Sequence, residues 1–165
     1  MADGVQFKIE GREAFFAKLD AIAYETKRKG GRSALRKAAM VVVNQAKENA
    51  MKLDDPATAA NIAANIVARW STRRFKQTGD LMFRVGIQGG AGGNAKSESF
   101  DQLPGKDTRH WRYKEFGTEK MPAQPFFRRA LAESISQVTD TFLTEYEKAI
   151  DRAIKRAAKK AAAGK

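Results

Sequence analysis

The chain has 165 residues and a formal net charge of +12, a length that fits one domain or one domain with an appendage. It contains no cysteine and a single histidine, which excludes disulfides, cysteine-based metal sites and histidine-rich metal sites within one chain. No apolar run approaches the roughly 18 residues of a membrane span, and the first residues lack the pattern of a signal peptide. We therefore expect a soluble protein made in a cytoplasm, whose charge favours polyanions or acidic protein surfaces as partners.

The first third of the chain predicts one strand and two helices. Apolar and polar residues alternate over residues 5–9, which is the period of a half-buried strand. Apolar residues then recur at helical spacing over residues 12–29, and Gly30-Gly31 is expected to end that helix. A second helix is predicted to follow, with Ser33 as a candidate N-cap, and to run to about Leu53.

The middle of the chain predicts two strands and a long loop. Residues 66–72 contain β-branched side chains and a tryptophan, and residues 81–88 alternate apolar and polar side chains. Residues 89–107 are rich in Gly, Ser and Lys, a composition that cannot bury enough apolar surface to order itself. A loop of this length is either an assembly segment that orders against a neighbour or a solvated linker between two elements.

The last third of the chain predicts a corner and then a long helix. Pro122 and Pro125 prevent a regular helix before residue 125, and Pro125 suits the first turn of a helix that follows. An apolar stripe at spacings of three and four runs from Leu131 to Ala153. Residues 148–165 are basic. The candidates there to face DNA or an acidic partner are Arg152, Lys155, Arg156, Lys159 and Lys160.

The order of these elements predicts an α+β fold for residues 1–165 as a single domain. We expect a small antiparallel sheet packed against two N-terminal helices and a long C-terminal helix, with a long flexible Gly-rich loop.

No group of residues has the pattern of an active site. The chain has no serine in a nucleophile-elbow sequence, and the glycines of residues 89–93 lack the spacing and the following helix of a phosphate-binding loop. Asp54-Asp55 could hold a divalent ion, but an acidic pair before a proline is more typical of a turn and a helix N-terminus. We therefore predict a protein that is not an enzyme, with no cofactor and no metal.

Two basic segments keep a sequence-independent nucleic-acid-binding protein as the alternative function. The cations around Gly30-Gly31 could belong to a helix-turn-helix, although the following helix has a stripe suited to packing. Trp70 lies among Arg69, Arg73 and Arg74, as in proteins that bind single strands. The simpler interpretation is a strand whose tryptophan faces the core and whose arginines face water.

Residues 111–131 carry a family signature. The segment reads WRYKEFGT and then, after Glu119, KMPAQPFFRRAL, which joins a Glu-Phe-Gly-Thr motif to an Ala-x-Pro-Phe motif and an Ala-Leu pair. It resembles the tail-component family of lambdoid long-tailed bacteriophages. Residues 7–11, 35–39 and 78–86 resemble the first strand, the second helix and the central strand region of the same family.

The resemblance implies a structural virion protein of the head–tail junction, a tail-completion or neck protein. It implies a homo-oligomer in the virion, a ring of six copies around the DNA channel. The implied neighbours are the tail terminator, the tail tube protein and the head-side connector or stopper protein, with non-specific contact to packaged DNA and no membrane. The protein would reside in the virion neck, and in the host cytoplasm during assembly.

Two groups of residues receive different predicted roles. The candidate interface residues are Trp111, Arg112, Tyr113, Glu115, Gly89, Gly90, Gly92, Gly93 and Lys96. The residues of a predicted structural corner between a strand and the last helix are Phe116, Gly117, Thr118, Pro122, Pro125 and Phe126. In this corner Gly117 permits a backbone angle that a side chain disfavours, and Glu115 could cap a turn.

Overall fold

The computed structural model describes residues 24–53, 61–89, 100 and 102–162, and within these the fold is α+β. The elements in chain order are helix α1 (Tyr24–Met51), a 3-10 helix (Ala63–Asn65), strand β1 (Ile66–Trp70), helix α2 (Thr72–Thr78), strand β2 (Phe83–Ile87), helix α3 (Trp111–Phe116) and helix α4 (Phe127–Ala162). This confirms the predicted class, with an N-terminal helix, an antiparallel sheet and a long C-terminal helix. The predicted strand over residues 5–9 lies outside the described residues.

Helices α1 and α4 run antiparallel and form the framework of the fold. Near one end, Gly30 lies beside Ala149. Near the other end, Asn49 Nδ2 donates hydrogen bonds to the Phe126 carbonyl at 3.3 Å and to Glu133 Oε2 at 3.1 Å. Between them, an ion pair joins Lys37 of α1 to Glu145 of α4.

The apolar core lies between the two helices and the sheet. Its fully buried members come from α1, from the 62–66 segment that leads into β1, and from residues 126–130 around the start of α4: Val43, Ala46, Ala50, Ile62, Ala63, Ile66, Phe126 and Ala130. Burying a side chain of the size of Phe126 contributes roughly 1.5–3 kcal/mol. A smaller cluster of Ala34, Tyr146 and Ile150 holds the other half of the helix pair together.

The described sheet consists of two antiparallel strands, both of which the sequence predicts. Their register pairs Ile66 with Ile87 and Trp70 with Phe83. Because side chains alternate across a strand, Ile66, Ala68 and Trp70 share one face with their partners on β2. Ile66, Ala68, Val85 and Ile87 pack on the core from this face, so the core positions the sheet against α1.

The predicted helix break at Gly30-Gly31 is wrong. Helix α1 continues through both glycines, and Ser33 is an exposed mid-helix residue instead of an N-cap. A Cβ on Gly30 would lie 3.1 Å from Ala149 Cβ, and one on Gly31 would lie 2.8 Å from Leu81 Cδ1. The two glycines therefore allow close approach of neighbouring elements, which a single sequence cannot distinguish from a helix stop.

The start and the buried stripe of the last helix also differ from the prediction. The helix begins at Phe127, two residues after Pro125. Leu131, the first residue of the predicted stripe, is 51% exposed, whereas Ala130 and Ser134 are buried. The reason is the close contact with α1, which selects small side chains at this end of α4.

The end of the predicted flexible loop is packed. Phe100 is buried, Gly105 N–H donates to Asn65 Oδ1 at 2.9 Å, and Asn65 Nδ2 donates to Thr108 Oγ1 at 2.8 Å. Part of the segment predicted as a flexible loop is therefore packed, because the buried amide of Asn65 holds the residues that precede α3. Residues 90–99 and 101 lie outside the described residues, and flexibility there stays a prediction.

Candidate assembly interface

A buried carboxylate, that of Glu115, holds the start of α4. Its side chain is 2% exposed and accepts hydrogen bonds from the backbone N–H groups of Phe126, Phe127 and Arg128 at 2.9, 2.9 and 3.0 Å. The first N–H groups of a helix have no intrahelical partner, and the helix dipole favours negative charge beside them. Glu115 therefore fixes how α4 leaves the corner. Because only 2% of this side chain is exposed, the structure gives Glu115 the role of a buried helix cap in place of the predicted contact residue.

Arg128 closes the same corner on the solvent side. Its Nε donates to Glu115 Oε1 at 3.0 Å, and its Nη2 donates to the Glu115 carbonyl at 2.9 Å. The guanidinium also lies over the ring of Phe116, 5.1 Å from the centroid. Arg128 thus joins the capping carboxylate to an aromatic side chain at the surface.

Gly117 ends α3 and permits the return of the chain. Its φ is 76°, and a Cβ there would lie 2.8 Å from the Ala123 backbone nitrogen. Thr118 and Met121 then pair as an isolated antiparallel bridge, and Gln124 N–H donates to the Lys114 carbonyl at 2.8 Å. The corner therefore connects two helices, whereas the sequence predicts a strand before it. Pro122 and Pro125 are exposed within this return segment.

Large apolar side chains are exposed around this corner. Tyr113 is 59% exposed, Phe116 is 61% exposed, and Leu131 is 51% exposed. Leu131 follows Arg128 by three residues and so lies on the same face of α4. We call the set of Tyr113, Phe116, Arg128 and Leu131 the aromatic corner.

Phe116, a residue of the predicted structural corner, lies at the surface of that corner and not in the core. Successive residues of a helix point in different directions, so the inward position of Glu115 turns Phe116 outward. Phe126, the other aromatic residue of the predicted corner, is 1% exposed and belongs to the core.

Trp111 and Arg112 begin α3 beside the aromatic corner. Trp111 is half-buried against the main core, and its ring centroid lies 6.4 Å from that of Phe116. Arg112 is exposed, with its guanidinium 5.8 Å from the Trp111 ring. The indole Nε1 of Trp111 is buried and has no hydrogen-bond acceptor among the described residues.

The predicted loop and tail residues are placed only in part. Gly89 is half-buried near Phe100 and Leu103, while Gly90, Gly92, Gly93 and Lys96 lie outside the described residues. In the basic end of α4, the exposed side chains are Arg152, Lys155, Arg156 and Lys159. The side chain of Lys160 is not among those described. Because Arg152 lies 21 residues beyond Leu131 on the same helix, the structure does not bring the basic end of α4 together with the aromatic corner.

Two features that could indicate nucleic-acid binding have internal roles. A helix-turn-helix at Gly30-Gly31 is excluded by the continuous α1. The ring of Trp70 packs between Phe75 and Phe83 with both centroids at 5.3 Å, and Arg32 lies 4.4 Å from its centroid. Trp70 therefore makes intramolecular contacts with two aromatic rings and with Arg32, as expected for a tryptophan that helps to hold the sheet.

The described ranges also exclude two other classes of site. Within them, no group of three or more His, Asp or Glu side chains could hold a metal ion. None of the helices in these ranges is long and apolar enough to cross a membrane.

Comparison with known proteins decides the family. A family model described as "Bacteriophage HK97-gp10, putative tail-component" matches residues 13–117, well over half of the chain. The chain belongs to this family. Membership in the HK97-gp10-like family confirms the resemblance inferred from the sequence and identifies a structural protein of the phage tail, and hence of the virion.

The family match covers a defined part of the structure. It includes α1, both strands and α3 with Glu115 and Phe116, and it ends at Gly117, before α4. No curated protein and no solved structure matches the chain. The absence of enzymatic activity agrees with a structural tail component and stays a prediction.

Proposed function

We propose that this tail component is a neck subunit that completes the tail and joins it to the head. The observation that carries the proposal is the aromatic corner, three large apolar side chains exposed on a junction that Glu115 makes rigid. The assignment to the neck rests on the resemblance of residues 111–131 to tail-completion proteins.

The chemistry of the aromatic corner suits a protein–protein contact. Aromatic and arginine side chains are enriched at the centres of protein interfaces and at binding hot spots. Adjacent exposed apolar side chains are uncommon on monomers unless another molecule covers them. Because the Glu115 carboxylate and Gly117 hold the corner, little conformational entropy is lost when a partner covers it.

The neighbours follow from the position in the neck. A ring requires a head-to-tail contact, in which the aromatic corner of one copy meets a different surface of the next copy. In the proposed arrangement six copies surround the DNA channel, between the head-side connector and the tail terminator and tube. The basic end of α4, with Lys155 and Lys159, faces either packaged DNA or an acidic neighbour.

Complementation of a phage that lacks this gene tests the role of the corner. The double variant Phe116→Glu and Leu131→Glu places two charges in the proposed contact, and hot-spot losses of about 2–4 kcal/mol correspond to roughly 30- to 1,000-fold weaker association. We expect electron micrographs of the lysate to show separate heads and tails in place of joined particles.

A matched control uses another exposed apolar residue. Met40 lies on α1 and is 39% exposed, so Met40→Glu adds a charge away from the corner. We expect it to support head–tail joining. Joined particles in wild-type number from a folded Phe116→Glu, Leu131→Glu protein would overturn the role of the corner.

The predicted assembly role of the Gly-rich loop has a separate test. Deleting residues 90–99 removes the glycines and Lys96 but retains Phe100 and the segment that Asn65 holds. The proposal expects a folded protein that fails to join heads to tails. Full infectivity of phage carrying this deletion would show that the loop is a solvated linker with no role in assembly.

A further inference from the structure

The face of the sheet that points away from the core has an unbalanced charge. The register places Arg69 of β1 directly opposite Arg84 of β2, and Val67 opposite Gly86, on this face. Like charges directly opposite each other destabilise an antiparallel pair. Both arginines are exposed, and among the described residues no carboxylate pairs with either of them. Nothing within the described fold accounts for this pair.

A groove adjoins the two arginines. Its volume is about 460 Å³, and besides Arg69 and Arg84 it is lined by Val67, Gly86, Leu103 and Trp111, among others. It therefore combines apolar walls with two guanidinium groups.

Gly86 leaves room in this groove for another chain. A Cβ at this position would have no atom within 4 Å, so the glycine is not required by packing among the described residues. Glycine inside a strand weakens the strand and often marks a place where another backbone approaches closely. Trp111 contributes to the apolar wall of the same groove.

We propose that this face of the sheet, defined by Arg69, Arg84, Gly86 and Trp111, is a docking site for an extended acidic segment of another protein. Carboxylates of the segment pair with the two guanidinium groups, which are well suited to bidentate contacts. Its apolar side chains lie against Val67 and Leu103. The apolar walls favour a peptide over DNA, since a phosphate backbone is held mainly by multiple cations and polar groups. This site shares no residue with the aromatic corner, although the Trp111 ring lies beside Phe116, and it does not depend on placement in the neck.

Fluorescence anisotropy with defined peptides tests the proposal on the full chain. The probe is a labelled dodecapeptide of alternating Glu and Val, and the comparison probes are the Lys and Val counterpart and a short DNA duplex. We expect saturable binding of the acidic peptide alone. Because each guanidinium makes a charge-assisted hydrogen bond, Arg69→Ala with Arg84→Ala should raise the Kd at least about tenfold.

Two further variants separate docking from simple charge attraction. Gly86→Leu fills the groove while keeping both arginines, and we expect it to abolish binding of the peptide without loss of thermal stability. Lys155→Ala with Lys159→Ala removes the same charge from α4, and we expect its Kd to stay within about twofold of the wild-type value.

Three outcomes would overturn the proposal. Absence of binding to the wild-type chain would show that the groove is solvated or filled by the chain itself. If Arg69→Ala with Arg84→Ala and Lys155→Ala with Lys159→Ala weaken binding of the acidic peptide equally, the attraction is non-specific. If the DNA duplex binds the wild-type chain and the Arg69→Ala, Arg84→Ala variant no longer binds it, nucleic acid is the ligand of this face.

Discussion

At the scale of single residues, the Glu115 carboxylate is buried and accepts hydrogen bonds from several donors. It accepts hydrogen bonds from three backbone N–H groups at the start of α4 and from Arg128 Nε, and the Glu115 side chain is 2% exposed. A buried carboxylate is tolerated only when its hydrogen-bonding capacity is met in this way. The corner and the residues exposed on it therefore depend on this one side chain.

Replacing Glu115 with Gln should destabilise the protein by about 2–3 kcal/mol, because the amide loses the charge and can no longer accept at both oxygens. The measurement is urea-induced unfolding, followed by far-UV circular dichroism. Glu119→Gln is the matched control, since Glu119 is exposed and has no described partner. An unfolding free energy for Glu115→Gln equal to that of Glu119→Gln would contradict the capping role.

Only part of this site can be predicted from the sequence. The motif around Glu115 indicates that a cap is plausible, but the helix that it caps begins eleven or more residues later along the chain. The direction of Phe116 depends on whether residues 111–116 form a strand or a helix, and aromatic composition does not decide between them. Arg128 gives no local signal, because its partner is set by the return of the chain after Gly117.

At the scale of elements, the contact between α1 and α4 depends on small residues. Gly30 lies beside Ala149 and Tyr146, with distances of 3.1 and 3.3 Å from a Cβ built on the glycine to Ala149 Cβ and Tyr146 Cε2. Any larger side chain must move α4 or the Tyr146 ring. Close-packed interiors resist such changes.

Gly30→Val should lower the unfolding free energy by about 1–3 kcal/mol through overpacking, even though valine has the better helix propensity. Thermal unfolding provides the measurement. Ser33→Val introduces the same side chain at an exposed position of α1 and should change stability by less than about 0.5 kcal/mol. If the two variants melt at the same temperature, the close helix contact at Gly30 is wrong.

Two acidic residues of α4 make the helix pair sensitive to acid. Hydrogen bonds from Arg129 and then Asn49 lower the pKa of Glu133, and those from Lys37 and then Lys148 lower the pKa of Glu145. A carboxyl whose pKa is lower in the folded state contributes stability at neutral pH that is lost as pH falls through its titration range. Both groups contact α1, so acid weakens the joint between the two helices.

We expect the melting temperature of the wild-type protein to fall as the pH is lowered below about 4.5, where glutamate carboxyls titrate. The double variant Glu133→Gln, Glu145→Gln should show a smaller fall over the same range, because the two groups no longer titrate. Differential scanning calorimetry between pH 7 and pH 3 makes the comparison. Parallel pH profiles of variant and wild type would contradict the assigned pKa shifts.

Sequence patterns predict some elements here better than others. The alternation in residues 81–88 defines β2 because one face of that strand is buried and its period is two. The Gly30-Gly31 pair leads to a wrong helix boundary, because glycine occurs both where a helix ends and where a helix contacts a neighbouring element closely. The packing of residues 102–108 depends on Asn65, about 40 residues earlier, and no local pattern reports such a bond.

At the scale of the whole molecule, the α+β class follows from the order of predicted elements, whereas the interaction surfaces do not. The excess of 31 Lys and Arg over 19 Asp and Glu residues gives no location for a partner. The fold places the aromatic corner and the arginine face of the sheet next to the same residue, Trp111, whereas the basic end of α4 lies more than 20 residues beyond the corner on that helix. Membership in the HK97-gp10-like family fixes the virion as the setting in which these surfaces act.

The most direct test of the neck assignment is immunogold electron microscopy of purified phage particles with an antibody against this chain. We expect label confined to the head–tail junction, on intact particles or on tails detached from heads. Label along the tail tube or at the distal tail tip would contradict the neck assignment while leaving the protein a tail component. Absence of label from all particles, with the protein present only in the infected-cell lysate, would contradict a virion role and favour nucleic-acid binding.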